Sequence, residues 1–572
     1  RSQEPGARSQ MVSSLQGCCP HHPSPSPYPP AVSLRDEFEQ TAFEILDTWH
    51  RLNPVEASWL GIHAYDDQLR ELSGEGIEEQ AAFLGDSLQR LGGISVGELP
   101  TELAVDYQLL VATLRSELWS IEKAADWRRN PAIYVQEPLF GLLVVATREY
   151  APLDQRAASL LGRLERLDKT LQAGRVNISN PPAIFVETAV QAARGGASFV
   201  RRAVPDVADQ VPDLRDALLK ASERGGAGLD QFADYLASEV RPLANGEVAI
   251  GRELFEERLH DWHMLDITAV ELEAAGRRLF DQTVVQLREL AADVAPGRDW
   301  PELVDEARAE HPTADELLDA YRDELAQLRA FIHERELLTI PEGERLDVVE
   351  TPLFERAVIP YAAYMRPAPF ETSQEGQFWV TPIDADRPPE ERAAQLREHC
   401  RASLSITALH EGYPGHHLQL VLANAVPSFV RKHAASDLFA EGWAFYCEQL
   451  LGEHGYYTDW RLRLFQLKDQ LWRSARVIID PSLHTGRMSV EEAVELLVEG
   501  AHLARAQAEG EVRRYCMTPT QPMTYAMGKE QILVLRDELS GLPQRRFHDL
   551  LLASGTLPFA LVRREIRSRL SS

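Results

Sequence analysis

A proline four residues after a histidine constrains this chain more than any other feature. The stretch reads Thr407-Ala-Leu-His410-Glu411-Gly-Tyr-Pro414-Gly415-His416-His417. Proline has no amide hydrogen and its ring clashes with the carbonyl four residues back, here that of His410, so a straight helix cannot run through Pro414. Gly415 gives the backbone freedom to leave the helical path. Three of the 17 histidines fall in these few residues, with a glutamate beside the first.

A second stretch, Phe439-Ala-Glu441-Gly-Trp-Ala-Phe-Tyr-Cys-Glu448, follows closely. Two imidazoles and a carboxylate from a later helix are the donor set of a catalytic zinc site, with a fourth position left for water. Glu411, next to the first histidine, cannot reach the same ion as a ligand and is free to act as a base. In the common arrangement the two histidines are one helical turn apart on one face. On a straight helix His416 would point roughly 240° away from His410, and His417 would lie about 10 Å along the axis. Neither pair then fits metal bonds of ~2.0–2.1 Å. A Pro-Gly bulge that absorbs two residues returns His416 to the second-ligand position; His417 is the alternative. Glu448, seven residues after Glu441, shares its helical face. It either orients a ligand histidine or lies on a solvated face.

Composition narrows the partners. A formal net charge of -29 argues against nucleic acid and anionic membranes. No apolar run approaches the ~18–20 residues that span a bilayer, the nearest being Leu139 to Ala146. Five widely spaced cysteines argue against a disulfide framework, and the Ser/Pro/His-rich N-terminus has no apolar signal core. The expectation is a cytoplasmic protein.

Residues 1–33 read as a disordered tail or an extension outside the native protein, broken by repeated prolines. Residues 34–340 carry helical periodicity: Leu103, Tyr107, Leu110, Leu114, Leu118 and Ile121 step along one face. Similar stripes run through 152–174, 209–241, 264–293 and 313–336, with Pro296-Gly297 as a break. Residues 341–572 form the metal-binding region. It opens with three short β-prone stretches, Leu346 to Thr351, Ala357 to Tyr361 and Gly376 to Thr381, before helical patterning returns. The fold class is mainly α with a small β region near the site.

His-Glu-x-x-Pro-Gly-His followed by Glu-Gly-Trp-Ala resembles the bacterial family catalogued as domain of unknown function 885. That family is grouped with the gluzincin metallopeptidases, beside the angiotensin-converting enzyme and thimet oligopeptidase families. The resemblance runs from Pro54-Val-Glu-Ala-Ser-Trp to Phe547-His-Asp-Leu-Leu-Leu. It implies a large multi-helix gluzincin-like fold and one zinc ion per chain, held by His410, His416 and Glu441 with Glu411 as base. It implies hydrolysis of short peptides admitted by a channel walled by the N-terminal helices. The family patterns around Arg-Ser-Ala-Arg476 to His484 and Gln521 to Lys529 imply oxyanion donors, Tyr525 first and His484 second. Arg476, Arg514 and Lys529 are candidates for gripping a substrate carboxylate. By analogy with gluzincins, the strand Gly376 to Thr381 is a sheet edge that pairs with an extended peptide.

Three other readings compete. A dimetal carboxylate bundle would use Glu257-Arg-Leu-His260 and Glu499-Gly-Ala-His502. A ruined metal geometry would leave an inactive helical binding protein. The same zinc chemistry would also serve a non-peptide amide or ester.

Overall fold

The computed structural model describes residues 33–571 apart from 353–355, 357–358 and 360. The expected N-terminal tail therefore lies outside the described residues except for Ser33. That residue starts the first helix, Leu34–Leu52, by accepting the Asp36 amide on its hydroxyl.

The helical stripes become helices. Leu103 to Leu118 lie in Thr101–Trp119, and the later stripes become Leu153–Asn177, Arg215–Tyr235, Ala269–Val294 and Leu317–Glu334. Local chemistry sets their ends. Thr268 and Glu271 form a capping box at the head of Ala269–Val294, and that helix gives out just before Gly297, which takes a positive φ of 90°. One buried core runs from Phe38 in the first helix to Ile566 in the last, so the N-terminal helices and the histidine-bearing region share it. A second cluster gathers Leu287, Trp300, Leu471, Leu497 and Tyr515.

The β region is one sheet of three strands, β1 (Arg345–Glu350), β2 (Ala362–Met365) and β3 (Glu375–Val380), in the order β1-β3-β2. β1 runs parallel to β3, with Val348 opposite Phe378, and β2 runs antiparallel, with Tyr364 opposite Phe378. This corrects the sequence expectation: β3 is the central strand, its backbone paired on both sides, and cannot offer an edge to a peptide. The expected strand Ala357 to Tyr361 falls largely outside the described residues, and β2 begins just after it. Gly376 in β3 has a positional reason, since a Cβ there would stand 2.6 Å from Nδ1 of His417.

Two helix crossings position the site. Ala269–Val294 packs on Trp460–His484, with Gly276 against the Val477–Ile478 backbone. Asp437–Glu453 packs on Thr524–Glu538 through a glycine pair: a Cβ on Gly442 would lie 2.5 Å from the Cα of Gly528, and one on Gly528 would overlap the Leu438 carbonyl. That approach brings Glu441 and Tyr525 to facing turns. Replacing Gly528 by Ala is therefore expected to lower stability by about 1–3 kcal/mol or more, through overpacking of backbone against backbone. Denaturant unfolding of the variant beside a Gly541→Ala control, whose Cβ meets nothing within 4 Å, measures it.

Candidate metal centre

The His-Glu helix, Arg401–Glu411, stops where Pro414 requires it to. The sequence expectation was a bulge within one helix. Instead the helix ends, Gly412–Gly415 make a turn containing a cis Tyr413-Pro414 bond, and a second helix, His416–Asn424, begins at the second histidine. The Gly415 amide donates back to the Leu409 carbonyl at 3.1 Å, and a Cβ on Gly415 would overlap the His410 carbonyl, so only glycine fits. The Pro414 carbonyl, left without a helical partner, accepts the indole N–H of Trp443 at 2.8 Å. Trp443 lies two residues beyond Glu441, so this bond ties the turn to the helix carrying the carboxylate.

Three donors converge there. His416 Nε2 is 3.2 Å from Glu441 Oε2, His410 Nε2 is 3.8 Å from the same oxygen, and the two imidazoles meet edge to face at 4.9 Å. Ligands bonded at ~2.0–2.1 Å in a tetrahedron stand roughly 3.3 Å apart, so the spacing fits one ion. Glu441 Oε2 is buried without a hydrogen bond among the described residues. One ligand atom each from His410, Glu411 and His416 also falls within 4.8 Å of the others, the one such metal-capable group among the described residues.

The electrostatics tie these donors together. Burial works against charge on His410, but Glu441 and Glu448 outweigh it and lift its pKa to about 10. Burial would raise Glu441, yet His416 and His410 hold it well below the ordinary carboxylate range. The carboxylates and imidazoles thus hold one another in their charged forms.

Behind the donors stands Glu448, fully buried, accepting from His410 Nδ1 at 2.9 Å. Of the two readings of this residue, the structure rules out the solvated face and pairs the carboxylate with His410. His417 turns away: its Nε2 meets Glu344 and its Nδ1 meets the Tyr364 hydroxyl at 3.1 Å. Tyr413 also donates to Glu344, and Arg329 lies 3.5 Å from it. Burial favours a neutral Glu344, but His417, Tyr413 and Arg329 keep its pKa lowered. Sequence reasoning missed Glu344, because a lone glutamate ahead of β1 carries no local signal of a partner 73 residues on.

Of the other expected residues, Tyr525 comes closest, its ring stacked 6.3 Å from that of His410. Burial and Glu441 keep its hydroxyl protonated, against the pull of Arg476, Arg514 and Arg473. His484 is not brought to the cluster. It sits eight residues beyond Arg476, about 12 Å along the helix. Its Nε2 donates to the Tyr515 carbonyl at 2.9 Å, and burial lowers its pKa to about 4. Arg476 is buried against Tyr525 with its guanidinium 4.6 Å from that ring, and Arg514 shares Glu511 with it. Lys529, one turn past Tyr525, donates to Gln470 at 2.7 Å and borders a cavity of about 540 Å³ lined by Gln282, Gln286, Gln449 and Glu530. Burial lowers its pKa to about 8. The dimetal pairs do not meet: His260 is exposed beside Asp261, while His502 packs on Trp300.

Comparison with known proteins follows this geometry. A family model described as "Bacterial protein of unknown function (DUF885)" matches residues 54–566. No curated protein matches the chain. Among solved structures, a "putative lipoprotein of unknown function" from Shewanella oneidensis is similar at 26% identity and a TM-score of 0.78, covering 93% of this chain and 99% of that one. A "putative lipoprotein" from Colwellia psychrerythraea shares the fold at 18% identity and a TM-score of 0.81, covering 95% and 100%. The lipoprotein descriptions overturn the cytoplasmic expectation. That expectation leaned on unpaired cysteines, and Cys400, Cys447 and Cys516 are buried thiols whose pKa burial raises, Cys516 to about 12. Such thiols are unreactive and need no reducing compartment to stay free. No helix among the described residues is long and apolar enough to cross a membrane.

The Glu448 contact gives a prediction. Glu448→Ala should weaken divalent-metal affinity by about 10–100-fold with the fold intact, and Glu448→Gln by less. Competition titration with a chromophoric chelator reads it; unchanged affinity in both variants would remove Glu448 from the site.

Proposed function

The chain belongs to the bacterial DUF885 family, and from the site it builds we propose a zinc-dependent hydrolase of peptide bonds in short peptides. The observation that carries this reading is the convergence of His410 Nε2 and His416 Nε2 on Glu441 Oε2, with the Glu411 carboxylate beside them. In this reading His410, His416 and Glu441 hold the ion, and the fold is gluzincin-like. A bound zinc polarises the scissile carbonyl and lowers the pKa of water.

The chain's own residues do the rest. Glu411 takes a proton from the attacking water and returns it to the departing amine. Its partly exposed side chain suits that exchange. Tyr525, with its proton retained, donates to the oxyanion that forms as the carbonyl becomes tetrahedral. His484 is left out, since its donor is already given to Tyr515. Glu448 holds the His410 ring so that Nε2 faces the ion. In this reading helices of the 34–340 region wall the approach, which the charge interaction of Arg258 with Asp437, one turn before Glu441, supports. If a peptide adds to the sheet, it joins at β1 or β2, the two edge strands, because β3 is already paired on both sides. The description of the Shewanella oneidensis relative supports a lipoprotein-like setting.

Two measurements test this. Metal analysis of protein purified without chelator should find about one zinc per chain, lost in His416→Ala and kept in His417→Ala. No zinc in the wild-type protein, even after adding the ion, sinks the reading. The metal-loaded Glu411→Gln variant should retain its ion and lose hydrolysis of short peptides by a factor of at least about 10²; full activity would exclude Glu411 as the base.

A further inference from the structure

The helix Trp460–His484 carries two arginines three residues apart, Arg473 and Arg476, on one face toward Tyr525. Their guanidinium carbons lie 5.9 and 4.6 Å from the Tyr525 ring and 4.8 and 4.4 Å from the Trp472 ring. Phe445, one turn past Glu441, stands 5.9 Å from Arg473 on another side. The aromatic rings fix both forks in place without using their N–H donors.

Part of that donor set is unspent. Arg473 makes no hydrogen bond among the described residues; Asp469, 3.3 Å away, is its one ion-pair partner and is shared with Lys468. Arg476 is 4% exposed and gives Nε to Tyr515 and Nη2 to Glu511, but its Nη1 is buried without a partner. Two other buried arginines are saturated by the protein itself. Arg163 gives all three nitrogens to the Gln68, Gly141 and Pro54 carbonyls, and Arg431 is saturated by Asp106, Glu565 and the Ser554 carbonyl. A buried guanidinium N–H without an acceptor is costly, so paired vacancies on neighbouring arginines point to an acceptor that arrives from outside.

Charge gives its sign. Among the described residues the ion pairs of Lys468, Arg473, Arg476 and Arg514 go to two carboxylates, Asp469 and Glu511, four cations to two anions in a chain of net charge -29. Position gives its role. Tyr525 touches both groups: its ring is stacked 6.3 Å from that of His410 and lies 4.6 Å from the Arg476 guanidinium. The path from the His410 ring through Tyr525 to Arg476 is at most about 11 Å, or about three residues of extended chain.

We propose that Arg473 and Arg476 form a subsite that holds a carboxylate of the substrate, so that cleavage falls within about three residues of that carboxylate. This deepens the hydrolase reading and rests on it for the identity of the substrate. The carboxylate is either the C-terminus of a peptide or an acidic side chain near it. In both cases the forked guanidinium supplies paired donors that an amide cannot use as well.

The test separates the subsite from the chemistry. Binding of tetra-alanine, tetra-alanine amide and Ala-Ala-Ala-Asp amide is measured by calorimetry on the metal-loaded Glu411→Gln protein, and turnover of the same peptides on the metal-loaded wild type. The free acid should bind at least about tenfold tighter than its amide. Adding Arg473→Gln should erase that ratio while metal content and melting temperature hold, and Arg473→Lys should keep part of it. Recovery of affinity by the Asp-containing amide assigns the subsite to acidic side chains; no recovery assigns it to the C-terminus. Equal or undetectable binding of all three peptides overturns the subsite, as does a free-acid preference that survives Arg473→Gln. Carboxylate-dependent binding with no turnover of any peptide leaves the subsite standing and removes the hydrolase reading instead.

Discussion

The hydrogen bond from the Trp443 indole to the Pro414 carbonyl is the contact on which the rest of the centre depends. Proline ends the first helix, and its own carbonyl, in the turn between the two helices, has no helical partner. Burying that oxygen unpaired would be costly, and the indole that satisfies it sits two residues from Glu441. One bond therefore fixes the turn, the start of the second helix and the distance from His416 to the carboxylate. Gly415 makes the turn sterically possible, and the Gly442–Gly528 crossing carries Tyr525 to the same place.

Around this point charge is arranged in shells. The two imidazoles face Glu441, Glu448 stands behind His410, and Glu344 draws His417 into a separate buried group with Tyr413 and Tyr364. Adjacent histidines thus serve opposite ends: His416 looks into the centre, and His417 pins its helix to the sheet through β2 and the gap at Gly376. Beyond Tyr525 the sign changes to a group of arginines. An acidic protein has concentrated cations at one side of its metal centre, which suits recognition of an anion more than general solubility.

Much of this was legible in the residues. The alternation of apolar positions marked the long helices, and β-prone stretches marked two of the three strands, because side-chain periodicity is local information. The pairing of His-Glu with a later glutamate marked the metal group, since few other reasons bring those types together at that spacing. Strand order was not legible: β3 was expected at an edge by analogy and lies in the middle, and only hydrogen bonding between distant segments decides that. His484 shows the same limit, for a polar residue in a suggestive stretch was drawn into the core by the Tyr515 carbonyl.

The sequence by itself determined a mainly helical chain, a helix that must stop before Pro414, and a donor set of two histidines and a glutamate. Those follow from covalent geometry and ligand chemistry, which travel with the residues. Only the tertiary structure brought His416, and not His417, to Glu441, paired Glu448 with His410, and left Arg473 and Arg476 with open donors. Those choices depend on which side chain satisfies which buried polar group across tens to hundreds of residues, and such partners are set by packing, not by spacing along the chain.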